Sequence, residues 1–430
     1  MEGWDTATAK RIGRDVDRRR SRSWRLVPAA ITPVEPADIG AGLLGQLRGQ
    51  GREQFRRKIE TFLDARSSGT YTSFRRTLAS CFRELAAASE DDRRTVLIPS
   101  FCSPDYPDVI EAVGLEPVRY DVDPKTLSFD ENAIENALRE EPLAIVAISV
   151  LGYGSPVPDL AARCAERETY LVEALGYALG TEYKGQRLGT VGDCAVLNFQ
   201  QGKPIPVGGG MVVSRNHNLT FSDVGRRAVR ANVATMTGYA ALSHPRPYYV
   251  YSQVKAYLDE IGDVNSLATT HARSPSEQAL SPPFATISDF QGVIAHRLFG
   301  RLEEHREQRE RTARFYAEAL SDCPRVDQVD AVAGLSNHQH VRFPLLAETE
   351  PLRDRLDAAL ENVGVQTTKL YDWPILDPDR FPGGARLQRT VLTLPTHPYV
   401  DDRDRRAVVE TVREVVGADG RVGHDGLVRQ

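Results

Sequence analysis

The stretch Cys194-Ala-Val-Leu-Asn-Phe-Gln-Gln-Gly-Lys203-Pro-Ile-Pro-Val-Gly-Gly-Gly-Met-Val-Val-Ser214 reads as two short apolar strands joined by a loop that glycine and proline shape. Such a loop can hold one side chain at a fixed height over a bound ligand. Outward from it the same rhythm continues toward the N-terminus. Short apolar runs at 95–99, 118–122, 144–150 and 169–173 alternate with helical patterns at 72–88, 107–113, 131–139 and 159–167. Strands rich in Val, Ile and Leu on both faces, separated by helices, predict a mainly parallel sheet covered by helices on both sides. Ligands of such α/β sheets gather at the carboxyl ends of the strands, where Lys203 stands.

Residues 226–285 break the rhythm with Met236, Tyr239, a Pro-Arg-Pro turn and Tyr248, Tyr249 and Tyr251, and are expected to form a helical excursion packed by its tyrosines. A single long helix is expected over 288–319, where Arg and Glu recur one turn apart. A smaller α+β unit follows, with strands expected at 341–345, 365–371 and 391–394 and helices at 351–363 and 402–416. The expected division is a lead-in over 1–52, a large α/β domain over 53–320 that carries the excursion, and a small C-terminal α+β domain over 321–430.

The chain has 430 residues with 54 Lys+Arg against 59 Asp+Glu, a formal charge of -5, and 41% hydrophobic residues. That balance excludes collagen-like, coiled-coil and wholly disordered chains and argues against nucleic-acid binding through the overall field. Only seven basic residues are lysine, so each lysine draws scrutiny. The five cysteines are scattered with no CxxC pair, which supports neither a disulfide framework nor a zinc site. No run of eighteen apolar residues predicts a membrane span, and the charged N-terminus does not resemble a signal peptide, so a cytoplasmic protein is expected. Lys10, Arg11, Arg14, Arg18, Arg19, Arg20, Arg22 and Arg25 face Glu2, Asp5, Asp15 and Asp17 in a basic arm, read as a solvated extension with polyanion binding as its alternative.

A buried lysine loses proton affinity through desolvation and becomes an amine able to form a Schiff base with an aldehyde; the competing reading of Lys203 is a solvated loop ammonium. Ser68-Gly69-Thr70-Tyr71-Thr72 is expected to open the first long helix of the core, where exposed amides and the helix dipole suit a phosphate. An ordinary N-cap has the same composition. His338 and His340 alternate ahead of a strand, but without a carboxylate or cysteine cluster no metal site is expected. His397 is read as a structural residue that closes the small domain onto the cleft.

These features stand in an ordered series: Ser68-Gly69-Thr70; Val96-Leu-Ile-Pro-Ser100; Tyr120-Asp-Val-Asp-Pro-Lys-Thr-Leu127; Gly152-Tyr-Gly154; Gly180-Thr-Glu-Tyr-Lys-Gly-Gln-Arg-Leu-Gly-Thr-Val-Gly-Asp193; Gly202-Lys203 before three glycines; and Val391-Leu-Thr-Leu-Pro-Thr-His-Pro398. From about residue 53 to 416 the chain resembles the pyridoxal-phosphate-dependent sugar aminotransferases of the DegT/DnrJ/StrS type. The resemblance implies a homodimeric fold type I α/β protein, pyridoxal 5'-phosphate as cofactor, and Lys203 as the residue that tethers it and moves protons. It implies that Gly69, Thr70 and the neighbouring Tyr71 receive the phosphate, and that the substrates are an amino donor and a keto sugar, nucleotide-linked, for polysaccharide or secondary-metabolite assembly.

Several positions depart from the family pattern. Ala174, in Leu171-Val-Glu-Ala-Leu-Gly-Tyr-Ala-Leu-Gly180, stands where the family has an aspartate against the pyridine nitrogen. Glu173 is adjacent but faces the other side of a regular strand, so it rescues the contact only through a bulge. Asn198 replaces a serine that contacts phosphate, Ser103 replaces the aromatic that stacks on the ring, and Tyr177 replaces a glutamine near the cofactor's phenolic oxygen. Phe284-Ala285-Thr286 replaces the segment that reaches the partner subunit's site. Three readings follow: a sugar aminotransferase, a pyridoxal-phosphate enzyme that eliminates or dehydrates, and a fold type I relative kept for binding or regulation.

Overall fold

The computed structural model describes residues 24–221, 232–261, 280, 284–371 and 374–425. The basic residues from Lys10 to Arg22 lie outside the described residues; Arg25 is inside them and pairs with Asp404 of the C-terminal helix Asp402–Asp425 and with Asp401 just before it.

Among the described residues nine strands precede the excursion: β1 (Ser67–Tyr71), β2 (Thr95–Pro99), β3 (Glu116–Tyr120), β4 (Ala144–Ile148), β5 (Tyr170–Ala174), β6 (Glu182–Tyr183), β7 (Gln186–Arg187), β8 (Cys194–Asn198) and β9 (Gly210–Ser214). Seven of them form one sheet in the order β1-β9-β8-β5-β4-β2-β3. β3, β2, β4, β5 and β8 run parallel, while β9 returns antiparallel on β8 and β1 on β9. Successive residues of a strand face opposite sides, and here they feed two different cores. Ala144, Val146 and Ile148 of β4 join one with Leu78, Phe82, Val109 and Ile110, whereas Ile145 and Ala147 join the other with Phe55, Ile59, Leu138 and Leu160. Each fully buried Val, Leu, Ile or Phe side chain among them contributes about 1.5–3 kcal/mol.

The C-terminal part adds β10 (Val326–Gln328), β11 (Leu335–Ser336), β12 (Arg342–Ala347) and β13 (Val391–Pro395). β10, β12 and β13 make a three-stranded antiparallel sheet, and helices Glu350–Asn362 and Asp402–Asp425 pack on it through Leu352, Leu356, Leu360, Val408 and Val412. β11 pairs instead with the β6–β7 hairpin of the large sheet's own loop. The strand expected at 365–371 is reduced to isolated bridges at Val365 and Thr368.

The helix expected over 288–319 is two helices, Asp289–Gly300 and Leu302–Ala319. Ser288 caps the first, its hydroxyl accepting from the Gln291 amide. At Arg301 the backbone leaves helical geometry (φ -106°, ψ 10°) and the guanidinium turns to Asp38 at 2.5 Å and Glu35 at 3.0 Å. Charge spacing along 288–319 was blind to those distant acids. Within the excursion, helices Asn232–Leu242 and Pro245–Ile261 are described. The Tyr239 hydroxyl donates to the Thr32 carbonyl, and that of Tyr248 donates to Gln366 at 2.8 Å, so two of the expected tyrosines pack the excursion onto the lead-in and the C-terminal part.

Among the described residues no helix is long and apolar enough to cross a membrane, no group of three metal-ligating side chains occurs, and the five cysteines are free and buried.

Candidate active site

The loop between β8 and β9 is fixed before any ligand enters. Asn198 accepts from the Gln200 amide at 2.9 Å and donates to the Gln200 side chain at 3.2 Å, which folds the loop back at its start. Thr32 donates to the Lys203 carbonyl at 2.9 Å, and Gln291 donates to the Val207 carbonyl at 2.8 Å. Gly209, at φ +89°, closes the loop where a Cβ would stand 2.4 Å from the Tyr71 carbonyl oxygen, so no larger residue fits.

The loop aims the Lys203 side chain inward. Its Nζ lies 3.1 Å from the centroid of the Tyr177 ring. Burial lowers the amine's proton affinity, and the Tyr177 phenol restores only part of it. Burial alone would push that phenol up, but the Lys203 ammonium and the Arg342 guanidinium outweigh it and bring it down to about 8. Tyr371 lies beside Tyr177 and also favours its ionised form, and the Tyr371 ring sits edge-on to Phe101 at 5.2 Å. Gly176 leaves the space open: a Cβ there would meet Asn198 at 3.3 Å and Lys203 Nζ at 3.7 Å.

Of the residues singled out from sequence, the structure brings Tyr177, Asn198 and Lys203 together. Ala174 is buried on the face of β5 whose neighbours Val172 and Tyr177 share its core. Glu173 points the other way. Its carboxylate accepts from the amides of Gly189 (2.6 Å), Val191 (2.9 Å) and Gly192 (2.6 Å), and no bulge brings it round, since β5 keeps regular pairing with β4 through Glu173 and Ala174. The expectation that Glu173 contacts the cofactor is therefore corrected: the residue secures the 189–192 turn from within the opposite core.

A second correction concerns Gly69, Thr70 and Tyr71. They do not open a helix; they lie in β1, antiparallel to β9, and the helix begins at Phe74 with Ser73 as its cap. Glycine and hydroxyl residues suit both settings, and pairing with β9 decided between them. Tyr71 hydrogen-bonds Ser80 at 2.6 Å and meets Phe284 edge-on. The helix start is nonetheless tied toward the site, because Arg75 binds Asp105 at 2.6 Å and the Asp105 carboxylate acts on the Lys203 amine. Ser103 lies just before the short helix Asp105–Ala112, its hydroxyl accepting from the Asp105 amide at 3.3 Å.

Arg342 and Tyr371 were missed from sequence. A usable signal existed for the first: an arginine inside the otherwise apolar Val341-Arg-Phe-Pro-Leu-Leu346. Tyr371 gave none beyond its aromatic type. His397 is buried and hydrogen-bonds the Pro28 carbonyl at 2.8 Å, tying the end of β13 to the lead-in. His338 and His340 hydrogen-bond each other through their Nδ1 atoms at 2.9 Å, and burial drives both imidazoles to lower pKa, that of His340 to about 4.

Comparison with known proteins extends these observations. A dTDP-4-dehydro-2,3,6-trideoxy-D-glucose 4-aminotransferase of Saccharopolyspora spinosa is 24% identical over 329 residues, 75% of this chain and 78% of that protein. The crystal structure of the aminotransferase TlmJ from Streptoalloteichus hindustanus superposes with a TM-score of 0.69 at 21% identity, covering 91% of this chain and 98% of that one. A putative sugar aminotransferase, Spr1654 of Streptococcus pneumoniae in its PMP form, gives 0.70 at 15% identity over 93% and 100% of the two chains. These superpositions establish the fold as that of the fold type I aminotransferases. The sequence model of the DegT/DnrJ/EryC1/StrS aminotransferase family matches residues 42–241 and 271–413, most of the chain, and the protein is a member of that family.

Proposed function

We propose that the protein is a pyridoxal-phosphate-dependent aminotransferase that delivers an amino group to a nucleotide-linked keto sugar in polysaccharide or secondary-metabolite assembly. The observation that carries the reading is the Lys203 amine, enclosed against Tyr177 and reduced in basicity by burial. The family and the substrate named for the Saccharopolyspora relative support it.

The residues present suit an aldehyde cofactor with an anionic tail. An amine of lowered basicity, a glycine that leaves the adjoining space open and a guanidinium with unpartnered nitrogens converge there. Lys203 would hold the cofactor, Tyr177 would face its phenolic oxygen, and Asn198 with the amides of the helix that starts at Phe74 would meet the phosphate. Bound, the cofactor supplies an electrophilic carbonyl and a ring that withdraws electrons. Lys203 would hold and return a proton at Nζ, and Tyr177 would share that proton through its phenol. Pro204, Ile205 and Val207 are buried and keep bulk water from the loop. The homodimer that the resemblance implies has a ready surface in Leu43, Leu44 and Leu47, exposed on one helix.

Ala174 favours a second reading. Without a carboxylate at the ring nitrogen, the site also suits an elimination that needs less electron withdrawal.

Titration of the purified protein with pyridoxal phosphate tests the first reading. A long-wavelength absorbance band should develop in the wild type, bleach on addition of an amino donor, and be missing in Lys203→Ala. A band that persists in that variant refutes the role of Lys203. Turnover of keto sugars without consumption of the donor favours elimination.

A further inference from the structure

The lead-in ahead of residue 42, where the family match opens, runs as a strap from the C-terminal part to the Lys203 loop. The Leu26 amide donates to the Pro245 carbonyl at 3.0 Å and that of Val27 to the Gly364 carbonyl at 2.8 Å, and the Gln366 amide donates to the Val27 carbonyl at 2.9 Å. Pro28 accepts from His397 at 2.8 Å. The Ala30 Cβ lies 3.6 Å from the point where a Cβ would stand on Gly202, the residue before Lys203. The strap then reaches Thr32, which is buried and whose hydroxyl donates to the Lys203 carbonyl at 2.9 Å. Tyr239, in the excursion helix Asn232–Leu242, clamps Thr32 at both ends of its main chain: its hydroxyl accepts from the Thr32 amide at 3.2 Å and donates to the Thr32 carbonyl at 3.2 Å.

We propose that Thr32 is a positioning residue for Lys203 and that Tyr239 holds Thr32 in place to do it; the inference rests on the aminotransferase reading, in which Lys203 carries the cofactor. The peptide unit that follows Lys203 ends on Pro204, which has no N–H, so the Lys203 carbonyl is the one hydrogen-bonding group that unit owns. Proline narrows the backbone of the residue before it without choosing one orientation. Thr32 supplies the choice by fixing the carbonyl. On the other side of the same Cα, the Lys203 amide reaches the Gln200 carbonyl at 3.3 Å, a long bond that holds less firmly. With the carbonyl fixed, the direction in which the lysine side chain leaves the loop is fixed too, and a small misplacement of a reacting group is costly in rate. Thr32 acts through the main chain of Lys203 and takes no part in proton transfer.

Thr32→Val, Thr32→Ser, Tyr239→Phe and Arg25→Gln would be compared with the wild type in stopped-flow capture of pyridoxal phosphate as a function of pH and, without cofactor, in thermal unfolding. The wild type and Lys203→Ala come first: if the two capture the cofactor alike, or neither does, the aminotransferase reading fails and the inference falls with it. With capture through Lys203 established, Thr32→Val should lower the plateau rate about tenfold, while the pH midpoint of the acid limb stays, because the amine remains buried. Thr32→Ser keeps the hydroxyl and should restore the rate. Tyr239→Phe should slow capture in the same direction, and the double variant should be no slower than Thr32→Val alone, since the two residues act in series. Arg25→Gln loosens the same strap at Asp404 and should cost stability without slowing capture. A Thr32→Val plateau equal to that of the wild type, a shift of midpoint in place of plateau, a Thr32→Ser variant as slow as Thr32→Val, or an Arg25→Gln variant equally slow overturns the inference and leaves the aminotransferase reading in place. Should Thr32→Val fail to fold, Tyr239→Phe decides: capture at the wild-type rate overturns the inference.

Discussion

Lys203 Nζ stands 3.1 Å from the centre of the Tyr177 ring, and the proton equilibria of the two groups are linked: the amine draws the phenol down to about 8 while the phenol props up the amine. Tyr177→Phe keeps the ring and removes the phenol. Burial, the larger influence on Lys203, then acts with less opposition and the amine's proton affinity drops further. An amine must be unprotonated to attack an aldehyde, so the acid limb of the rate of pyridoxal-phosphate capture should move to lower pH. Stopped-flow absorbance across pH 5 to 9 measures it, on the order of one point per half unit. A limb that stays in place, or moves upward, shows that the phenol does not govern the amine.

Restoring a carboxylate on the inner face of β5 separates the two reactions considered for the site. Glu173 cannot move to do this work, since three amides of the 189–192 turn hold it in the other core. Ala174→Asp buries a carboxylate beside Val172 and Tyr177 with no partner of its own, so the cofactor-free protein should lose about 3 kcal/mol of stability. Cofactor bound with its ring nitrogen at that face supplies the partner. Adding pyridoxal phosphate should therefore recover more thermal stability in the variant than in the wild type, and the donor half-reaction should quicken on the order of tenfold. A penalty indifferent to cofactor, with an unchanged half-reaction, places the ring nitrogen elsewhere.

The large sheet was legible because its strands carry their own signal. The run at 95–99 and the pair flanking Lys203 coincide with β2 and β9 at both ends and with β8 at its start. Burial on both faces favours apolar residues at the central positions of these strands, and turn residues then mark the limits. What depended on distant partners was not legible. Ser67–Tyr71 pairs as a strand with β9, and the acids that meet Arg301 at the helix break, Asp38 and Glu35, lie more than 250 positions away. At the site, Lys203 stood out by rarity and loop chemistry. Arg342 and Tyr371 arrive from the C-terminal part, and no local pattern connects them to position 203.

The same distant contact makes the final prediction. Asp38 is wholly buried, accepts from the Glu35 amide at 2.9 Å, and meets Arg297 at 2.7 Å and Arg301 at 2.5 Å. Burial pushes its carboxyl up, and the two guanidinium groups with the amide outweigh that and hold it below the usual carboxylate range. Asp38→Asn preserves shape but leaves both cations without their counter-charge. Arg297 is 42% exposed and water takes over part of its loss, so the cost at neutral pH should be about 2 kcal/mol rather than the full value of a broken buried pair. Because the folded carboxyl titrates below the unfolded one, its stabilisation is complete above the unfolded value near about 4 and fades as pH falls through the folded one. Urea unfolding of wild type and variant should therefore show a gap at neutral pH that closes on acidification. A gap that persists undiminished in acid would mean that shape at the junction of helices Pro36–Arg48 and Asp289–Gly300, not charge, is what Asp38 supplies.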